Sequence, residues 1–408
     1  MQNYVQWSAV YASYFTIMGL WTAFGPATLL RLNPAAAPLA LAAITLAYFA
    51  ATPFAHAVFR RLGFGRAVVF LGGSVFACMV LAACVPAALV VGVPLAFFFG
   101  SGCYTLCETQ MIEDLARQGR GHEFGRARKW GSAGFLLAAM AGGAVFSASS
   151  GVGSLSLALA GCAAAFALCC LALQRASHAP VPATAAVPVP PDLGNPAATD
   201  PLPTPGNAPP ADTRAWARLG RVGATGCAAV ALMRLAEAVS TTWFGAYWLH
   251  TGHGTLETGI LCALPVAMEF LAMWKGGPLM ARFSAPAVML VCCLASALRW
   301  LATPVCSVLW CAVPLQSVHA LTFGFFYPAS LLWIRQQAGP HFFQVRYATE
   351  AAARAVTAAV TFAAAGWVIA HWGYGAVFGL ASALACASAG WWWRLLAGGA
   401  RPTPAADI

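Results

Sequence analysis

Charge is scarce in this 408-residue sequence: Asp, Glu, Lys and Arg together make up 8%, where a soluble globular chain carries roughly 25%. So few charges cannot cover a water-facing surface. With 60% hydrophobic residues and a mean hydropathy of +0.73, the solvent of the folded chain is lipid. Soluble enzymes, disordered proteins and secreted disulfide scaffolds are excluded. The short apolar/polar alternation of membrane-spanning strands is missing too. Instead the apolar runs are long and rich in Ala, Leu, Phe and Trp, which predicts helices. H-E-x-x-H, G-x-S-x-G, clustered metal ligands and G-x-x-x-x-G-K-[ST] are all lacking. An enzyme, a metal or cofactor site and an ATP-driven pump therefore have no support. The first residues, Met1 to Trp7, carry no basic stretch and are expected to open the first span rather than to form a signal peptide. The 14 cysteines, Cys103, Cys107, Cys169 and Cys170 among them, are scattered through apolar runs. They are expected to pack as small residues, without disulfides or metal.

The net charge of +10 would raise nucleic acid as a partner in a soluble chain. Here basic loops held on one membrane face account for it, and no nucleic-acid partner is expected. Residues 175–213 contain eleven prolines and almost no bulky apolar side chain, the composition of an extended linker. The linker separates an expected six-helix bundle over 1–174 from a second over 214–400, with a tail at 401–408. At about 30 residues per span and loop, the chain holds about twelve spans. They fall near 5–30, 36–59, 66–86, 88–116, 127–149, 153–174, 217–249, 256–281, 284–303, 305–336, 345–370 and 374–397. Seventeen Lys and Arg, from Arg60 to Arg401, lie on one side of this arrangement and only Arg31 on the other. The positive-inside rule then places both termini and the linker in the cytoplasm, with the chain in a bacterial inner membrane.

The two halves match at an offset of 220. Thr22, Phe24 and Gly25 repeat as Thr242, Phe244 and Gly245; Val93-Pro94-Leu95 repeats as Val313-Pro314-Leu315; Arg126 repeats as Arg346. Two bundles related by a pseudo-twofold axis, with a site between them at midplane, are the expected result.

A charge inside a span needs a partner or a task. Arg234 and Glu237 are three residues apart and Glu350 and Arg354 four apart, so each pair can close on its own helix. Arg234, Glu350 and Arg354 are read as structural ion pairs, and Lys275 as snorkelling to the interface. Glu269, Arg299 and His319 lie on three consecutive spans with no local partner. Meeting across helices, they form either a proton-transfer group, with Glu237 as a further acid, or a static salt bridge with a hydrogen-bonded His. Before the fifth span runs Glu123-Phe124-Gly125-Arg126-Ala127-Arg128-Lys129-Trp130-Gly131. It reads as a plain basic loop or as a site. Arg128 falls one turn into the helix, within reach of Glu108 or of a solute, and Gly131 and Gly134 permit close helix packing. Tyr14, Trp21, Tyr104, Phe135 and Trp243 are candidates for an aromatic wall or for ordinary packing.

The hexapeptide Glu123 to Arg128 with Gly131, then Glu269, Arg299-Trp300 and His319 in that order, resemble the major facilitator superfamily. The resemblance is to the branch of proton symporters that includes the lactose and phenylpropionate permeases. It implies twelve helices in two bundles, proton-coupled symport and a monomer whose partners are a small solute, protons and lipid. It also implies solute binding by Arg128, and a coupling group of Glu269, Arg299 and His319. One turn after the His, where the lactose permease has its proton-carrying carboxylate, this sequence has Thr322, as the phenylpropionate permease does. The resemblance therefore implies an aromatic monocarboxylate as solute, with Glu269 and Glu237 as candidate proton carriers. A sugar or nucleoside symporter, and a non-transporting sensor on the same scaffold, remain the alternatives. Glu108 matches the family's acid in the fourth span only to within one residue. The family loop motif keeps Arg60, Arg61, Gly63, Gly65 and Arg66 but lacks its Asp.

Overall fold

In a computed structural model, residues 2–117, 124–146, 152–177, 219–275, 282–306, 308–363 and 367–398 are described. All regular structure among them is helical. The first half holds α1 (Gln2–Leu32), α2 (Ala37–Leu62), α3 (Phe64–Cys84), α4 (Leu89–Arg117), α5 (Phe124–Val145) and α6 (Val152–Ser177). The second half holds α7 (Gly220–His250), α8 (Thr255–Lys275), α9 (Ala285–Ala302), α10 (Leu309–Ala338), α11 (Phe342–Ala363) and α12 (Ile369–Ala397). Among the described residues eight of these are long and apolar enough to cross a membrane, and α2 makes a ninth if its bent halves count as one span. The other three, α1, α5 and α11, fall short of that test. In α11 the cause is visible, since Arg346, Glu350 and Arg354 lie within its first thirteen residues. The chain is a multi-pass membrane protein. The expected linker lies outside the described residues except for its first three, which continue α6 to Ser177.

Short connections turn successive helices back on one another. Gly63 alone joins α2 to α3, at φ 75°, a conformation that a Cβ would strain. Prolines shape the rods. Pro53 withdraws the donor for the carbonyl four residues earlier, close to where α2 bends by 50°. In α10, Pro328 removes the donor that Gly324 would use, and Ala320–Phe325 widens into a π segment.

Helices α1 to α6 pack on one another, as do α7 to α12; the halves meet through α1–α7, α2–α11 and α5–α8. Two of these seams depend on glycine. A Cβ on Gly245 would lie 2.5 Å from the Ala23 carbonyl oxygen, so the repeated Thr-x-Phe-Gly motifs of α1 and α7 touch each other. A Cβ on Gly259 would lie 2.3 Å from the Ala139 oxygen, and one on Gly143 2.6 Å from that of Thr255. The Thr255 hydroxyl donates to the carbonyls of Gly143 and Phe146 at the end of α5, where a helix leaves its last carbonyls open to partners outside it. Within the first half, Gly131 packs under the Phe15 ring and Gly134 against the Ala12 carbonyl, the close approach expected of both. These inter-half contacts lie at the arginine-poor end. Trp310, Trp367 and Trp372 are exposed at that end, and Trp130 and Trp393 at the arginine-rich end, as two interfacial belts would be.

One expectation about cysteine is corrected. Cys306 and Cys311 form a disulfide, with Cα atoms 5.5 Å apart, across the α9–α10 connection. Both sit at helix ends, at the very start of the expected tenth span, where the turn brings them together. The other twelve cysteines are free.

Candidate functional site

Among the described residues, the densest buried polar cluster centres on Glu237 of α7, and α9 builds most of it. Ser296, Arg299 and Trp300 are spaced i, i+3, i+4, so they project from one face. The Glu237 carboxylate accepts hydrogen bonds from Ser296 Oγ at 2.6 Å, Trp300 Nε1 at 3.2 Å and Arg299 Nη1 at 3.2 Å. From α10, Gln316 Oε1 accepts from Arg299 Nη2 at 2.6 Å, and Thr322 Oγ1 lies 3.4 Å from Nη1. The side chains of Arg299 and Glu237 are 2% and 8% exposed. Each is thus a buried charge with a partner and further hydrogen bonds, the condition under which burial is tolerated.

His319 has two incompatible options. Its Nδ1 lies 3.0 Å from Arg299 Nη1 and 3.4 Å from Glu237 Oε2. Without a proton Nδ1 accepts from the guanidinium; with one it faces a cation and donates to the carboxylate. One proton therefore switches the partner of the ring.

The expected meeting of Arg299 with His319 is found, and the acid between them is Glu237. The hydrogen bonds described for Arg299 and His319 go to other residues than Glu269, whose backbone on α8 packs against Gly324 of the π segment. The local ion pairs are corrected. Arg234 turns from Glu237 to Glu350 of α11, 3.5 Å away, and Arg354 lies over the Tyr48 ring of α2 at 5.2 Å. Both local pairs lose to partners on other helices because a helix-surface pair contributes only about 0.2–0.5 kcal/mol.

In the first half, Glu108 accepts from the Tyr104 hydroxyl at 2.9 Å, and Tyr104 stacks on Tyr14 at 5.3 Å. Tyr14, Trp21, Phe135 and Trp243 are buried; Trp243 is fully enclosed and Trp21 packs edge-on to Phe97. Arg128 lies in the first turns of α5; its side chain, with those of Arg126 and Lys275, falls outside the described residues. Sequence reasoning missed Gln316 and Ser296. Their positions relative to Arg299 carry a signal only once α9 and α10 are known to face each other.

The family model described as the MFS_1 like family matches residues 4–383. The chain belongs to that family. No curated protein matches the chain. The solved structure of the nucleoside transporter NupG is similar at 15% identity and TM-score 0.75, covering 97% of this chain and 99% of that one. An auto-inhibited POT family peptide transporter is similar at 13% and 0.72, covering 99% and 98%. A D-xylose–proton symporter is similar at 13% and 0.67, covering 96% and 97%. At these identities the likeness concerns the fold. That fold is the major facilitator fold.

Proposed function

We propose that this protein is a proton-coupled symporter of a small organic solute, working by alternating access between two six-helix bundles. The observation that carries this reading is the dry Glu237–Arg299–His319 cluster. It holds one titratable ring between a cation and an anion, next to the π segment of α10. In this reading Glu237 and His319 carry the coupling proton; Glu269, on the helix facing that segment, is a second acid on the path. Protonation moves His319 from Arg299 to Glu237 and loosens the guanidinium. The solute binds the protonated form more tightly, and coupling is that difference in affinity.

Arg128 of α5, together with Glu108 and Tyr104 of α4, binds the polar end of the solute from the first half. The arginine-rich end and both termini face the cytoplasm, so the Gly245, Gly259 and Thr255 contacts close the periplasmic end. An aromatic monocarboxylate is the first choice of solute. A sugar or nucleoside is the second, and the solutes named for similar folds, a nucleoside and D-xylose, keep it in view.

The test uses energised membrane vesicles and a panel of labelled aromatic acids, sugars and nucleosides. Wild-type protein should accumulate one class and lose the gradient on addition of a protonophore. Glu237→Gln should lose uphill accumulation while keeping counterflow exchange. Binding without any protonophore-sensitive accumulation would reduce the protein to a sensor and end the symport reading.

A further inference from the structure

The first half acquires cations long before it acquires an acid. No Asp or Glu precedes Glu108, whereas Arg31, Arg60, Arg61 and Arg66 do. Three of these four gather at the single-glycine turn between α2 and α3. Arg60 and Arg61 lie in the last turn of α2, and Arg66 lies in the first turn of α3. All three are exposed, and none forms an ion pair or a hydrogen bond among the described residues. The positive charge of this turn is left without a carboxylate partner.

Next to the turn lies a patch of rings open to lipid. Phe54 of α2 and Phe70 of α3 are 37% and 45% exposed. Phe98 and Phe99 of α4 are half-buried between them. The centre of the Phe54 ring is 5.0 Å from that of Phe98 and 6.0 Å from that of Phe99, and Phe99 meets Phe70 at 6.4 Å. The four rings make one continuous surface across α2, α4 and α3. Helical spacing aligns that surface with the arginines. Arg66 and Phe70 are four apart on α3, and Phe54 and Arg61 are seven apart on α2, so each arginine stands over a ring on its own helix face. The separations along the helices are about 6 Å and about 10 Å. A headgroup layer is about 5–8 Å thick on either side of the hydrocarbon core. With the guanidinium groups among phosphates, the rings therefore lie where acyl chains begin.

A cation cluster alone is satisfied by water and counterions, and a ring patch alone by any lipid. Set one above the other, they fit a molecule that is anionic at one end and aliphatic along the rest. We propose that this face of α2, α3 and α4 is a binding site for an anionic glycerophospholipid. Its phosphate pairs with Arg61 and Arg66, whose planar guanidinium groups each offer two parallel donors. Its acyl chains pack on the four rings. Arg60, turned about 100° from Arg61 around the helix, adds to the local potential. The bound lipid ties α3 to the part of α2 beyond its 50° bend. Nothing in this assignment depends on which solute the protein carries.

The test is native mass spectrometry of the full-length protein in detergent with equal amounts of dioleoylphosphatidylglycerol and dioleoylphosphatidylcholine. The two share acyl chains and differ in headgroup charge. Wild type should retain the anionic lipid with a preference of about 10–30-fold, since each guanidinium beside an anionic headgroup contributes about fivefold. Arg61→Gln combined with Arg66→Gln should lose most of that preference. Arg394→Gln removes an exposed arginine at the same end of the other half and should keep it. Equal retention of both lipids by wild type overturns the proposal. So does a preference that survives in the double variant, or one that falls equally in Arg394→Gln. If inorganic phosphate raises the melting temperature as much as the anionic lipid does, the turn is a free-phosphate site and the lipid reading fails. A second measurement needs no variant. Phosphatidylglycerol with a photoactivatable diazirine on its acyl chain should label wild-type peptides containing Phe54, Phe70 or Phe99, and labelling confined to other helices refutes the site.

Discussion

Glu237→Gln keeps the shape of the side chain and removes its charge, leaving Arg299 as a cation only 2% exposed. Arginine cannot shed its proton. At a charge separation near 4 Å and an effective dielectric of about 20, the lost attraction is about 4 kcal/mol. The bonds from Arg299 to Gln316 and Thr322 survive, so the observed destabilisation should be nearer 3 kcal/mol, at the lower edge of the range for a broken buried pair. Arg299→Gln should cost a similar amount by stranding the carboxylate, although Ser296 and Trp300 still donate to it. The double variant buries no charge at this site. It should be more stable than the sum of the single effects by about 3 kcal/mol. Denaturant unfolding in detergent, followed by far-ultraviolet circular dichroism, measures all four corners of the cycle. Single effects that add to within about 0.5 kcal/mol would show that the two side chains do not interact, and the coupling cluster would lose its centre.

Exhaustive alkylation of unfolded, unreduced protein should label twelve cysteines, and reduction should raise this to fourteen; full labelling before reduction would refute the Cys306–Cys311 bridge. Gly259→Val would place a methyl-bearing carbon 2.3 Å from the Ala139 oxygen and force α5 and α8 apart. The buried Cys262, almost one turn along α8, should then react faster with a maleimide, as read by peptide mass spectrometry; an unchanged rate would mean that this seam does not close the arginine-poor end. Arg128→Ala should weaken solute binding at least about 10-fold by thermal shift with ligand, and unchanged affinity would place the first-half site elsewhere.

Much of the fold was legible because lipid imposes blunt rules. A chain with so few charges must form helices in which each backbone group is satisfied within its own segment, so the rods of α1 to α12 follow the apolar runs to within a few residues at most ends. The offset of 220 was also readable, and the touching Thr22 and Gly245 of the repeated motifs give it a physical location. Glycine pairs at Gly131 and Gly134 behaved as small residues in a dry interface should. The linker composition was plain, and so was the concentration of unusual residues at Arg299-Trp300 and His319.

Partner choice was not legible. Span by span, Arg234–Glu237 and Glu350–Arg354 look complete, and Glu269 looks like the missing acid for Arg299. Yet Arg299 takes Glu237, Arg234 takes Glu350 and Arg354 takes a tyrosine ring of the other half. Sequence by itself determined the solvent, the helices and the short list of buried charged residues. Only the tertiary structure decided which of those residues meet, because the rotation of each helix about its axis is set by contacts with several neighbours at once. A partner on a packed neighbouring helix then prevails over the nearest one in sequence.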